Sequence, residues 1–302
     1  MRIQLAAFAA LLVAAACLPA TASLPDYPAN ATTPIQNLVA VLTDFGTDDY
    51  YAGALEGSIY GANPSVRIST ITHQVRPFSI ADGSYILAKA AWRYPSGTVF
   101  MAEVDPGSDE SRRFIVLETT DGKIFVGPDN GIFTGVMDEL GLARVFQITN
   151  TTLMNQGQKS ATFRAFSISG PVAARLAGGT PIDSVGPMIT DPIRLSIARP
   201  KRNGSQISGT IVHIDSYGNL LTNIPGKLAG EAGIHTGDPL GISLANKDYN
   251  ATYAITYSDV DNGEWLAMND PEGLIEVARN MENAAATANV SSGETISLSL
   301  IS

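Results

Sequence analysis

The stretch 38–46, LVAVLTDFG, constrains this chain more than any other. Five apolar residues in a row, Leu38 to Leu42, read as a strand buried on both faces, and such strands belong to parallel sheets covered by helices. The polar run that follows, residues 43–50, reads as a turn opening a helix. In open α/β sheets ligands bind beyond the carboxyl ends of the strands, where a side chain can face a ligand instead of the core. Asp44 stands at such an end and is the first candidate for a functional residue. Asp48 and Asp49 have a plainer role available, as N-cap and first-turn acids of a helix starting near Tyr50. A strand-end aspartate is structural about as often as functional, so Asp44 alone decides nothing.

The alternation continues. Pro64 ends the first helix, whose face carries Tyr51, Leu55, Ser58 and Ile59, and a strand follows at 66–72. Residues 80–92 read as a helix and 98–104 as a strand that runs into Asp105-Pro106-Gly107-Ser108, a second acidic turn at a strand end. Residues 112–118 and 123–126 alternate around Asp121-Gly122, a strong hairpin signal. Pro128-Asp129-Asn130-Gly131 then turns into a helix at 132–140 closed by Gly141, and 167–177 reads as a further helix stopped by Gly178-Gly179. This order predicts an α/β N-terminal domain, residues 37–191, with a mostly parallel sheet covered on both faces. Residues 192–206, with two prolines and Lys201-Arg202-Asn203-Gly204, read as a linker. Beyond it short apolar runs at 207–214, 220–224, 240–244, 251–257, 274–278 and 295–300 alternate with turn residues, which predicts an all-β C-terminal small barrel over 207–302.

The first 22 residues read as a signal peptide. Met1-Arg2 gives a positive start, residues 5–16 are apolar but too short to span a bilayer, and Ala20-Thr21-Ala22 is a small-x-small cleavage site. Cleavage is expected after Ala22, with 23–36 as a disordered lead-in and a secreted or extracytoplasmic destination. A lipoprotein reading at Cys17 is weaker, because Ala14 stands where a large apolar residue is usual. Cys17 is the only cysteine, so the mature chain would hold no thiol and no disulfide. Five sequons, at Asn30, Asn150, Asn203, Asn250 and Asn289, suit export in a host that glycosylates. The net charge of -10, with no basic run, argues against a nucleic-acid partner and would tolerate a small cationic ligand. No stretch reads as a transmembrane helix, and the three histidines are too scattered in the sequence to suggest a metal site.

Four polar turns carry the functional signal: Thr43-Asp44-Phe45-Gly46, Asp105-Pro106-Gly107-Ser108, Pro128-Asp129-Asn130-Gly131, and Asp215-Ser216-Tyr217-Gly218-Asn219 running into Thr222-Asn223-Ile224. Val277-Ala278-Arg279-Asn280 joins them near the C-terminus. In this order, across two domains of this kind, they resemble the S-adenosylmethionine hydroxide adenosyltransferase family, the group that also contains the fluorinating and chlorinating enzymes. The resemblance spans nearly the whole mature chain, roughly residues 39–300. It implies displacement at the ribose C5′ carbon of S-adenosylmethionine, by water or by halide, with methionine leaving as a neutral thioether. It also implies a homotrimer in which each ligand lies between the first domain of one subunit and the second domain of its neighbour, with no cofactor and no metal.

Residue by residue, the resemblance implies that Asp44 accepts hydrogen bonds from both ribose hydroxyls, while Asp105 and Ser108 line the ribose and reaction pocket. Asp215 and Asn219 would take the methionine amino and carboxylate groups beside Tyr217, and Arg279, Asn280 and Met281 would read the adenine edge. Asn223 reads as structural. The chain also departs from the family's pattern. Hydrolases there commonly read D-I-T-H where this chain has Thr70-Ile71-Thr72-His73, and T-F-H-G-R-D where it has Thr162-Phe163-Arg164-Ala165-Phe166-Ser167. The positions that handle water would therefore be Thr70, Arg164 and Arg76, none of which is a base at neutral pH. His73 reads as a hydrogen-bonded structural residue, with a functional role as the alternative. Halogenation fits less well than hydrolysis, because only a short hairpin precedes Pro128 and Ala165 stands where the halide pocket carries Ser or Gly. Three functions stay open: an S-adenosylmethionine hydrolase, a non-catalytic exported S-adenosylmethionine or nucleoside-binding protein of the same fold, or a secreted interaction protein in which the pocket is vestigial.

Overall fold

A computed structural model describes residues 35–107, 111–155, 157 and 162–301. The leader, Cys17, Asn30 and Ser108 lie outside the described residues.

The N-terminal domain is built on six strands: β1 (Leu38–Thr43), β2 (Arg67–Thr72), β3 (Val99–Glu103), β4 (Phe114–Thr119), β5 (Ile124–Pro128) and β6 (Leu142–Gln147). They lie in the order β2-β1-β3-β5-β4-β6. The neighbours among β2, β1, β3 and β5 are parallel, and β4 runs antiparallel to both β5 and β6. The sheet is thus mixed, with its parallel half at β1, as the apolar run there required. Val39 and Val41 face one core with Leu55 and Ile59 of α1 (Tyr51–Ala62). Ala40 and Leu42 face the other, with Leu87 and Ala88 of α2 (Ile80–Ala91) and Val136 of α3 (Thr134–Glu139). Burial of Val39 to Thr43 on both faces removes that stretch of β1 from water, at roughly 1.5–3 kcal/mol for each Val or Leu.

Local chemistry sets the helix limits. Tyr50, not Asp48 or Asp49, precedes α1, while Asp49 Oδ1 accepts the Tyr50 N–H at 2.7 Å. Ser79 caps α2 by accepting the Asp82 N–H. The helix expected from residue 167 begins earlier, as a π-helical turn at Ala165–Ser169 that continues into α4 (Gly170–Ala177). That wide turn brings Ser169 against β3. Gly127 lets β5 pass β3 closely, since a Cβ there would lie 2.2 Å from the Ala102 carbonyl oxygen.

The C-terminal domain holds β7 (Lys201–Asn203), β8 (Gln206–Ile214), β9 (Leu220–Pro225), β10 (Pro239–Leu244), β11 (Lys247–Tyr253), β12 (Trp265–Asn269), β13 (Leu274–Arg279) and β14 (Thr295–Leu300). Around the ring the order is β8-β14-β10-β11-β12-β13-β9 and back to β8, a closed seven-stranded barrel whose one parallel pair is β11 with β12. Strand β7, inside the stretch read as linker, is a short hairpin arm on β8. The short helices α5 (Gly226–Glu231) and α6 (Ala284–Ala288) pack on the barrel, and Ile207, Ile211, Leu220, Ile242, Val277 and Ile296 fill it. Among the described residues no helix is long and apolar enough to cross a membrane.

Candidate functional site

The parallel register puts Thr43 of β1 beside Glu103 of β3, so the carboxyl ends of the two central strands deliver their following residues to one edge. A cavity of about 450 Å³ opens there, lined by Asp44, Glu103 and Asp105 and by Phe45, Tyr51, Pro77, Phe78, Pro106 and Phe163. Three carboxyl side chains therefore meet an aromatic wall. Such a site favours a cation with an apolar body, since ring faces attract positive charge and carboxylates accept from hydroxyls.

Each acid is held differently. Asp44 Oδ2 accepts the backbone N–H of Phe78 at 2.9 Å. Phe78 is 75% exposed and has φ +67°, a left-handed conformation that is unusual for a bulky residue. This contact fixes an aromatic ring at the mouth of the cavity in a strained backbone. Asp105 is almost wholly buried and forms an ion pair with Arg112 at 3.0 Å, while Asn130 Nδ2 donates to its Oδ1 at 3.2 Å. Its Oδ2 is buried with no hydrogen-bond partner among the described residues. An orphaned carboxylate oxygen at a cavity wall is an acceptor held ready for a ligand. Glu103 is 4% exposed, and its Oε2 accepts from Ser169 Oγ at 2.9 Å. Burial, with Asp105 and Asp44 nearby, pushes its carboxyl up to about 8, against the opposing pull of Ser169 and Arg164.

The second group of candidates lies on the barrel. Asp215 Oδ1 accepts the N–H groups of Tyr217 and Asn219 at 2.9 and 2.8 Å, and Asn219 Nδ2 donates to Asp215 Oδ2 at 3.0 Å. The tight turn needs Gly218, whose φ is +89° and where a Cβ would lie 2.1 Å from the Asn283 side chain. Tyr257 extends the network, with its hydroxyl 2.6 Å from Glu276 Oε1. Burial raises the pKa of both groups, and the contact with Glu276 raises that of Tyr257 further. Arg279 donates to the Gly263 carbonyl and to Thr287 Oγ1, and Asn280 Nδ2 to the Val260 carbonyl at 2.8 Å. These two side chains hold the loop, on which Met281 has φ +60°. Tyr217 and Met281 are 77% and 83% exposed.

The structure thus gathers Asp44 and Asp105 in one cavity, and Asp215, Tyr217 and Asn219 in one turn on the other domain. None of the barrel candidates lines the cavity of the same chain. Thr70 is exposed on β2, and Arg76 is exposed with Nη2 on Ser79 Oγ at 3.1 Å. Arg164 is half-buried over the Phe114 ring and donates to the Arg112 carbonyl at 3.1 Å. His73 Nδ1 sits 2.8 Å from Thr43 Oγ1, while Nε2 is buried without a partner among the described residues. Burial lowers the His73 pKa, with Glu56 opposing. Asn223 ties the 192–206 segment to β8 and β9, accepting the Thr210 N–H and donating to the Ala198 carbonyl. Sequence reasoning missed Glu103, Tyr257 and Glu276. For Glu103 a signal existed: it is the one charged residue in the apolar run VFMAEV, next to the Asp105 turn.

The chain matches the profile of the SAM hydroxide adenosyltransferase N-terminal domain over residues 39–186 and that of the C-terminal domain over residues 209–297. It is 33% identical over 261 residues to the (R)-S-adenosyl-L-methionine hydrolase of Salinispora tropica, covering 85% of this chain and 95% of that one. With the fluorinase of an Actinoplanes species it shares 25% identity over 289 residues, covering 86% and 97%. A crystal structure of an uncharacterized conserved protein from Thermotoga maritima matches with a TM-score of 0.82 at 34% identity, over 86% of this chain and 99% of that one.

Proposed function

The chain belongs to the SAM hydroxide adenosyltransferase family, and on that premise we propose that it hydrolyses S-adenosylmethionine to adenosine and methionine by displacement at C5′. The observation that carries this reading is the cavity at the ends of β1 and β3, where three acids and an aromatic wall suit a sulfonium joined to a ribose. Asp44 grips the ribose hydroxyls, and Asp105 Oδ2, which has no hydrogen-bond partner among the described residues, completes the polar lining. No acid is needed for the leaving group, since a sulfonium departs as a neutral thioether. Catalysis then comes from positioning the water and from excluding bulk solvent.

The barrel residues Asp215, Tyr217 and Asn219 hold the methionine end, and the segment Arg279, Asn280 and Met281 reads the adenine, each from a neighbouring subunit of a homotrimer. Supporting this are the exposure of Tyr217 and Met281 and the purely N-terminal lining of the cavity in one chain. The leader sequence and the cleavage site after Ala22 support action outside the cytoplasm. One observation favours a second reading, a binding protein that no longer turns its ligand over: Thr70, Arg76 and Arg164, the positions left for handling water, do not line the cavity. Calorimetric titration of residues 23–302 with S-adenosylmethionine and with adenosine, followed by chromatography of the mixture, decides between them. Adenosine release that is lost in Asp44→Ala supports the hydrolase, and binding without product supports the receptor.

A further inference from the structure

Glu103 is a buried carboxyl that the family reading leaves without a task. It lies at the carboxyl end of β3, lines the same cavity as Asp44 and Asp105, and uses Oε2 for Ser169. Its Oε1 makes no hydrogen bond among the described residues. The charged groups that act on it are Asp105 and Asp44, which favour its neutral form, and Arg164, which favours the anion. Burying a carboxylate this completely is costly unless something in the cavity compensates. Building an aspartate on each side of it makes the cost higher still.

We infer that the Glu103 carboxylate takes the proton from the attacking water, and that the positive charge of the bound sulfonium is what readies it. This rests on the hydrolytic reading above. When the cavity is empty, burial and the two aspartates keep Glu103 protonated at neutral pH. A sulfonium in the cavity supplies the missing opposite charge, and Glu103 releases its proton to solvent as the ligand binds. The water oxygen then forms a bond to C5′ while the C5′–S bond breaks, and that electron pair returns to sulfur. The water proton passes to Glu103 Oε1. Carboxylate, sulfonium and water become carboxylic acid, thioether and alcohol, so the step removes both charges from the buried site together. Ser169 acts as a positioning residue, because its hydroxyl fixes the rotamer that presents Oε1. This assigns the base that Thr70, Arg76 and Arg164 cannot provide.

Two experiments on the full mature chain test it. First, sinefungin, a non-hydrolysable analogue with an amine in place of the sulfonium, and S-adenosylhomocysteine, the neutral thioether, are titrated at pH 7 in buffers of differing ionisation enthalpy. The cationic ligand should release close to one proton more than the thioether, and that difference should vanish in Glu103→Gln, which keeps an oxygen for Ser169. Second, Glu103→Gln should lower kcat by roughly 10²- to 10⁴-fold and should weaken sinefungin by about tenfold or more, as release of a proton at pH 7 requires, while S-adenosylhomocysteine stays within about threefold of wild type. The wild-type rise of kcat/KM with pH through about 8 should disappear with it, and Glu103→Asp should recover part of kcat. Wild-type kcat and an unchanged pH profile in Glu103→Gln would overturn the role of Glu103 while leaving the hydrolase intact. A wild-type protein that forms no adenosine would overturn the hydrolase reading, and this role with it.

Discussion

His213 Nδ1 of the barrel lies 2.6 Å from Asp82 Oδ1 of the α/β domain, and the ring of Tyr85 stacks on the same imidazole at 5.2 Å. The contact joins β8 to α2, and both polar groups are mostly buried, with side-chain exposures of 18% and 8%. Removing the imidazole leaves the Asp82 oxygen without that partner, so His213→Ala should destabilise the protein by about 1–3 kcal/mol. A double-mutant cycle with Asp82→Ala, read by urea denaturation, should return a coupling energy above about 0.5 kcal/mol. Strictly additive losses would mean that the pair contributes nothing to holding the domains together.

Glu103 should leave its mark on stability as well as on rate. Its folded pKa lies above the ordinary 4.5, at about 8, because burial penalises the anion. Below pH 4.5 both folded and unfolded chains hold the proton. Between 4.5 and 8 the unfolded chain releases it first, so wild type should lose stability relative to Glu103→Gln by up to about 1.4 kcal/mol per pH unit. Above 8 the gap should level off. Thermal unfolding of both proteins across pH 4 to 9, without ligand, measures it, and parallel curves would show that Glu103 is not held neutral by the fold.

Asp44 has two expected effects that substitutions can separate. If its carboxylate accepts from both ribose hydroxyls, at about 1.5–3 kcal/mol for each charged hydrogen bond, then Asp44→Ala should weaken binding by roughly 10²- to 10⁴-fold. The loss should appear with both ligands, because both carry the ribose, and should be at least as large for S-adenosylmethionine, which also carries the sulfonium charge. Asp44→Asn keeps an acceptor for the Phe78 N–H, so it should preserve the loop while still weakening both ligands by at least about tenfold. Calorimetry that found wild-type affinity for adenosine in Asp44→Ala would remove the ribose role.

What the sequence revealed and what it hid follow from how local each cause is. The β1 run and the Asp121-Gly122 hairpin are written in adjacent residues, and both form as expected. Strands β6 and β12 were missed, because Arg144 on β6 and the turn residues flanking β12 break the period a short strand needs. The π-helical turn at 165–169 has no local signature, yet it sets Ser169 against Glu103. Asp44 was visible because a polar turn follows it, whereas Glu103 sits inside an apolar run and gains meaning only when β3 lies beside β1. The cavity is a product of strand order, which single residues do not encode.

The proposed trimer makes the sharpest demand, because it puts the two halves of each site on different chains. Asp44→Ala should disable the α/β half of the site and Asn219→Ala the barrel half, so each pure protein should be inactive. Mixed at equal amounts under conditions that exchange subunits, they form hybrid rings in which some neighbouring pairs combine an intact Asp44 with an intact Asn219. With random assembly and a head-to-tail ring, such pairs make up about a quarter of all sites, so about a quarter of wild-type activity should return. Sites built within single chains would never regain both residues, and the mixture would stay inactive. Recovery that tracks the appearance of hybrid rings by native mass spectrometry would tie the restored activity to a subunit boundary, the place proposed for Tyr217 and Met281, which are exposed in the single chain.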